Sequence, residues 1–199
     1  MNVSLEHYPS SYLLMIYRAG RNCYGATNAC NDKIQMGVFA KRLIGRGHES
    51  VLEHVNISVY LTDVSRSFLA QITRHRLVAY SVKSQHYVKH GDFKFKELEE
   101  WGQDQWNKTL YYKLMQDINN LYKKFLDSGI PHYIAREILP NACLTDIYMT
   151  ANVREWRHII KMRITKNNTP EIQEVAEALL RRFYGNMPEL FEDLVKEYL

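Results

Sequence analysis

The chain has 199 residues, 46% of them apolar, with 26 Lys and Arg against 22 Asp and Glu for a formal net charge of +4. That is core material for one domain over 1–199, and the modest positive charge permits an anionic ligand without arguing by itself for nucleic-acid binding. The apolar runs are far too short to span a bilayer, MNVSLEHYPSSY has no basic flank and apolar core of a signal peptide, and Cys23, Cys30 and Cys143 suit a reducing cytoplasm better than a disulfide framework.

In chain order, residues 3–8 and 11–17 are expected to form a first strand and a first helix, followed by a polar loop with Gly25, Asn28 and Asn31. Asn31 or Asp32 caps a predicted helix to about Arg46, with Ile34, Val38, Phe39 and Leu43 on one face and Gly45 and Gly47 at its end. Alternation over 55–62 predicts a half-buried strand, and Asp63 is placed to cap a helix reaching the Arg74-His75-Arg76 triplet. Residues 78–89 read as a second strand or an extended loop, and 103–128 as a long amphipathic helix ended by Gly129. Pro131 begins a further helix stopped at Pro140. CLTDIYMTA is strand-like, Asn152 caps a helix to Met162, and Pro170 and Pro188 open the last two helices. Several helices with three or four strands make the class α+β.

Four segments carry chemistry. HESVLEH, His48 to His54, pairs two histidines with two carboxylates. The histidines are six apart rather than four, and no cysteine lies near with finger-like spacing, so a polar loop lining a ligand pocket is favoured over a metal. In TRHRLVAYSVKSQHY, Gln71 lies one turn before Arg74 and His75. Tyr80, Ser81, Ser84 and Gln85 follow. A solvated helix end explains one or two of these charges, whereas the whole stretch suits an anion cradle with bidentate arginines. AREILP places Arg136 in a short helix and alone says little. In NVREWRHIIKMR, eleven residues separate Asn152 from Arg163, close to three helical turns, with Trp156 and Ile159 between them and Arg154 and His158 at i,i+4. This is either a basic helix with one wet side or a helix laid against a flat polar cofactor.

Together these segments resemble one family, the flavin-dependent thymidylate synthases of the ThyX type. Its Arg-His-Arg, seven residues, Ser signature is matched by Arg74-His75-Arg76, LVAYSVK and Ser84. HESVLEH, AREILP, the Asn152–Arg163 helix and GRNCY (Gly20 to Tyr24) match its other blocks, in order, across nearly the whole chain. The departures are His86 where the family has arginine, Val82 where many members have Glu or Gln, and the loosely matching NNTPEIQ at Asn167 to Gln173.

The resemblance implies a ThyX-like α+β fold, a central mixed or antiparallel sheet packed by helices. It implies a homotetramer whose active sites lie at subunit interfaces. The implied reaction converts dUMP to dTMP, with FAD as cofactor and NADPH and 5,10-methylenetetrahydrofolate as cosubstrates. His48, Ser50, Arg74, His75, Arg76, Val82, Asn152, Arg154 and His158 would contact FAD. Gln71, Arg74, Val82, Ser84, Gln85, His86, Arg136 and Arg163 would surround the nucleotide. Arg163 would be the activating residue, a fixed guanidinium stabilising negative charge on the uracil ring, with no cysteine nucleophile. The nearest rival is a flavin-dependent methylase or hydroxymethylase of another pyrimidine nucleotide. An RNA- or DNA-binding module using the triplet and the 14 tyrosines would show steep salt dependence and no flavin. It leaves the 48–54 and 152–163 segments without a role, so neither a nucleic-acid polymer nor a membrane is expected as partner.

Overall fold

The computed structural model describes residues 1–26, 30–87, 93–97 and 104–199. Its elements are β1 (Asn2–His7), α1 (Tyr12–Asn22), α2 (Lys33–Gly45), a 3₁₀ helix (Glu49–His54), β2 (Asn56–Ser65), α3 (Arg66–Ile72) and β3 (Val78–Val82). Then come α4 (Gln105–Asp127), α5 (His132–Ala135), a 3₁₀ turn (Arg136–Ile138), β4 (Leu144–Asn152), α6 (Val153–Arg163), α7 (Pro170–Asn186) and α8 (Pro188–Tyr198). The strands form a four-stranded antiparallel sheet in the order β1-β2-β4-β3, so the chain is α+β. Asn28 of the expected loop, residues 88–89 of the expected strand and residue 103 of the expected long helix lie outside the described residues.

The chain divides into two compact units. The first comprises Met1, Leu61–Gln71 and Ser81–Ile147; the second comprises Asn2–Tyr60, Ile72–Tyr80 and Tyr148–Leu199.

In the second unit, α7 packs on α8, α6 and β1, α2 packs on α1 and α8, and α6 packs on the 3₁₀ helix. Trp156 is fully buried, its ring 5.3 Å from Phe183, and Phe183 lies 5.2 Å from Phe191. The indole Nε1–H donates to the Ile57 carbonyl at 3.0 Å, which satisfies the one polar atom that the buried ring carries. Caps set the helix starts. Asp32 Oδ1 accepts from the backbone N–H of Ile34 at 2.8 Å, and Asn152 Oδ1 accepts from that of Glu155 at 2.9 Å. Gly47, at φ 72°, turns the chain out of α2 in a conformation that a side chain would strain.

The buried face of α2 differs from the expected one. Met36, Gly37, Ala40, Leu43 and Ile44 are buried, while Ile34 and Val38 are exposed. The physical reason is close packing on α8: a Cβ at Gly37 would sit 3.0 Å from Glu189 Cγ. The small residue thus selects the face that a count of apolar side chains misses. On β4 the alternation holds, with Thr145, Ile147, Met149 and Ala151 buried. Ser58 of β2 is buried and meets Thr150 of β4 hydroxyl to hydroxyl at 2.8 Å, which satisfies a polar residue inside the sheet.

In the first unit, α4 packs on α5 and the 3₁₀ turn. Phe95 meets Tyr111 and Tyr112 edge to face at 5.8 and 5.7 Å and bridges Cys143 in antiparallel fashion. Asp63 is not the cap of α3. β2 continues to Ser65, and the Ser65 hydroxyl accepts from the Phe68 N–H at 3.0 Å. Asp63 instead adopts φ 56° within the strand and donates its N–H to Asp146 Oδ1 at 3.2 Å. A cross-strand partner outweighs the local capping preference. The expected helix from Pro131 to Pro140 is a single α turn followed by a 3₁₀ turn.

Candidate functional site

The Arg74-His75-Arg76 triplet belongs to the second unit. α3 ends at Ile72, so the triplet forms the turn that leads into β3 rather than a helix end. The helical register expected to align Gln71 with Arg74 and His75 therefore stops short of them. Two contacts shape the turn: the His75 N–H donates to the Ile72 carbonyl at 3.2 Å, and the Tyr80 hydroxyl is a bifurcated donor to the carbonyls of Ile72 and His75 at 2.7 and 2.9 Å. Burial, with a smaller contribution from Glu155, pushes the Tyr80 phenol up to about 12, so it stays protonated as a donor. Arg74 and Arg76 point to solvent while His75 is 6% exposed.

His75 joins two residues of α6. Arg163 Nε donates to His75 Nε2 at 3.0 Å, and His75 Nδ1 lies 3.4 Å from Glu155 Oε1. The side chains of His75 and Glu155 are 5% and 10% exposed. Burial and then the charges of Arg163 and His158 push His75 down to about 4, so the imidazole is neutral near pH 7. The Glu155 contact is therefore one between a neutral imidazole and a carboxylate rather than an ion pair. On its other side, Arg163 Nη1 donates to Asn168 Oδ1 at 3.4 Å. Asn168 is itself held, its Nδ2 donating to Met162 O at 2.9 Å and Thr165 Oγ1 at 3.0 Å.

The remaining predicted flavin residues of this unit gather around α6 and the 3₁₀ helix. A cavity of about 370 Å³ is lined by Glu49, Glu53, Leu77, Asn152, Arg154, Glu155, His158 and Lys161. A second, of about 260 Å³, is lined by His48, Glu49, Ser50 and Arg154 among others, and Glu49 and Arg154 border both. Arg154 Nη1 pairs with Glu53 Oε1 at 2.5 Å on the exposed surface. The His158 ring stands edge-on to His75 at 5.6 Å. Trp156 and Ile159 do not face this side, because both are buried in the core.

Sequence reasoning overlooked Arg157. Its side chain is 2% exposed, and its Nη1 and Nη2 donate to the two carboxylate oxygens of Asp193 at 2.8 and 2.5 Å, while Nε donates to Glu49 at 3.3 Å. This fork ties α6 to α8 and to the 3₁₀ helix. It also overlooked Glu155, and it set Tyr80 in the wall of an anion cradle, whereas the Tyr80 hydroxyl holds the turn. An acidic residue three positions after an Asn cap was the available signal for Glu155, but it ordinarily indicates a capping box.

The first unit holds Gln71, Val82, Ser84, Gln85, His86 and Arg136. The Ser84 hydroxyl accepts from the His86 N–H at 3.0 Å, and Gln85 Nε2 lies 3.8 Å from Cys143 Sγ. His86 is exposed; its ring meets Tyr87 edge to face at 4.7 Å and lies tilted against Tyr133 at 5.3 Å. Arg136 Nε lies 3.3 Å from its neighbour Glu137. Arg66, outside the sequence reading, donates to the Lys83 carbonyl at 3.0 Å, and burial and the Arg136 charge lower its guanidinium from the ordinary value. Gln71 sits in the last turn of α3 and Val82 at the end of β3.

The thymidylate synthase complementing protein family matches residues 5–189. The chain is 33% identical over 194 residues to the flavin-dependent thymidylate synthase of Mycolicibacterium gilvum, an alignment covering 88% of this chain and 76% of that protein. It is 34% identical over 194 residues to the flavin-dependent thymidylate synthase of Mycobacterium avium, covering 88% and 76%. Against the flavin-dependent thymidylate synthase of Geobacter sulfurreducens it is 30% identical over 196 residues, covering 95% and 84%.

Proposed function

The chain belongs to the flavin-dependent thymidylate synthase family, and from that premise we propose that it converts dUMP to dTMP, with 5,10-methylenetetrahydrofolate as carbon donor and NADPH as reductant. The match over 5–189 runs through both units and supports a single catalytic domain with the family's fold.

The residues present fit FAD. His48, Ser50, Asn152, Arg154 and His158 line the two cavities of the second unit, and Arg74 and Arg76 of the same unit expose guanidinium groups suited to phosphate oxygens. Bound there, FAD would carry hydride from NADPH to the carbon being transferred. In this reading Arg163 is the catalytic residue: its guanidinium stabilises negative charge on the uracil ring and polarises C5 and C6 for attack. Gln71, Ser84, Gln85, His86 and Arg136 hold the nucleotide, with Arg136 opposing the phosphate charge, while backbone near Val82 supplies donors. Cys143 is no candidate nucleophile, since it is fully buried and burial pushes its thiol up.

The observation that carries the proposal is the fixed guanidinium of Arg163, clamped between His75 and Asn168 on the same unit as the polar cavities. A homotetramer with sites completed at subunit interfaces is supported by the exposed apolar stripe Trp106, Leu110, Leu114 and Leu121 of α4. Among the described residues no helix is long and apolar enough to cross a membrane. A cytoplasmic setting accords with the three free cysteines.

The test is an absorption spectrum of the purified protein with and without dUMP. A flavin spectrum that dUMP shifts or quenches is expected. Arg163→Ala should keep the flavin and lose methylation. A colourless protein that takes up no FAD, or near-normal turnover in Arg163→Ala, defeats the reading. A second reading, a different pyrimidine nucleotide as substrate, is favoured by the exposed His86 in place of arginine. Turnover on dUMP, UMP and dCMP separates the two.

A further inference from the structure

Arg163 meets His75 through a contact that leaves no choice of proton position. An arginine Nε–H only donates, so His75 Nε2, 3.0 Å away, must present its lone pair. The imidazole is neutral, so its one proton sits on Nδ1, where Glu155 Oε1 lies 3.4 Å away. Glu155 is 8% exposed, and a buried carboxylate is tolerated where a donor meets it. It follows Asn152 by three residues, the position of a capping-box glutamate, yet its carboxylate is turned toward the imidazole.

We propose that Glu155 and His75 are positioning residues for Arg163: Glu155 accepts the Nδ1 proton of His75, and His75 Nε2 accepts the Nε proton of Arg163. The relay fixes the plane of the guanidinium, with Asn168 holding its Nη1 side. His75 thereby has both ring nitrogens engaged within the protein and acts through Arg163 rather than through a polar contact with the flavin. The inference rests on the reading of Arg163 as the residue that faces the uracil ring. The geometry of the relay does not depend on that reading.

Two measurements test it. Long-range proton–nitrogen correlation spectra of the full chain labelled with ¹⁵N-histidine, with the His75 signals identified by their loss in His75→Gln, report the tautomer directly. The Nδ1–H form is expected near pH 7. A predominant Nε2–H form, or a doubly protonated ring, overturns the relay. The second measurement compares kcat and KM for dUMP in Glu155→Gln and Glu155→Leu at matched flavin content. Misplacing the guanidinium by about 1 Å is expected to cost Glu155→Leu roughly 100-fold in kcat. Glu155→Gln keeps an oxygen acceptor at the same place and should recover most of that loss. Unchanged kcat in Glu155→Leu, or equal losses in the two variants, overturns the positioning role. If Glu155→Leu does not fold, the tautomer of the wild-type protein and the kcat of Glu155→Gln decide. If the wild-type protein binds no flavin and turns over no dUMP, the functional reading fails, and the tautomer spectrum still decides the relay.

Discussion

His75 and His86 carry the same side chain into opposite circumstances. His75 is enclosed and neutral, its Nε2 accepting from Arg163 and its Nδ1 facing Glu155, whereas His86 is exposed and lies against Tyr87 and Tyr133. At position 86 a histidine offers a shorter reach and no permanent two-pronged charge, unlike the arginine that the family's motif carries there. His86→Arg is therefore expected to tighten dUMP binding by about 1.5–3 kcal/mol, the worth of one charge-assisted hydrogen bond. Calorimetric titration of dUMP into the flavin-loaded protein checks it; an unchanged dissociation constant means another group has taken over the phosphate. Both histidines stand out in the sequence as members of one motif. Nothing in the sequence separates them, because enclosure is decided by residues of α6 more than seventy positions away in the chain.

At the scale of elements, α6 is both core and site. Trp156, Ile159 and Ile160 are buried, while Arg154 and His158 of the same helix line the polar cavity. Trp156→Ala removes a fully buried ring and leaves the Ile57 carbonyl without its indole donor. It should destabilise the protein by about 3–5 kcal/mol, read as a lowered midpoint in urea unfolding. Ile34→Ser on α2 is the contrast: Ile34 is 78% exposed, and the change should stay within about 0.5 kcal/mol. An unaffected Trp156→Ala or a crippled Ile34→Ser would refute this division of faces. The helices themselves were legible from Asp32, Asn152, Pro170 and Pro188, because capping and ring constraints act locally. The face of α2 was not, since Gly37 is buried by Glu189 of α8. The cap of α3 was misplaced for the same reason, Asp63 being drawn to Asp146 across the strands.

For the whole molecule, the neutral buried imidazole couples stability to pH. His75 is held at about 4 in the folded protein against an ordinary value of 6.5, so between those values the unfolded chain binds more protons. Stability from this group is thus intact above about pH 6.5 and is lost as pH falls toward 4. Between pH 8 and pH 5 the loss amounts to about 2 kcal/mol, a large share of a typical folding free energy. Urea unfolding of the wild-type protein and His75→Gln across that range should show the variant with the shallower dependence; parallel curves would refute the assignment. The sequence by itself determined the α+β class, most helix starts and the family, because periodicity, caps and motif spacing are properties of neighbouring residues. Only the tertiary structure decided that α3 stops before the basic triplet, that His75 turns inward between Glu155 and Arg163, and that Arg157 is a buried strut to Asp193 rather than one more surface charge. Those outcomes depend on which distant groups exclude water from a side chain and satisfy its hydrogen bonds, and a local pattern carries no record of that.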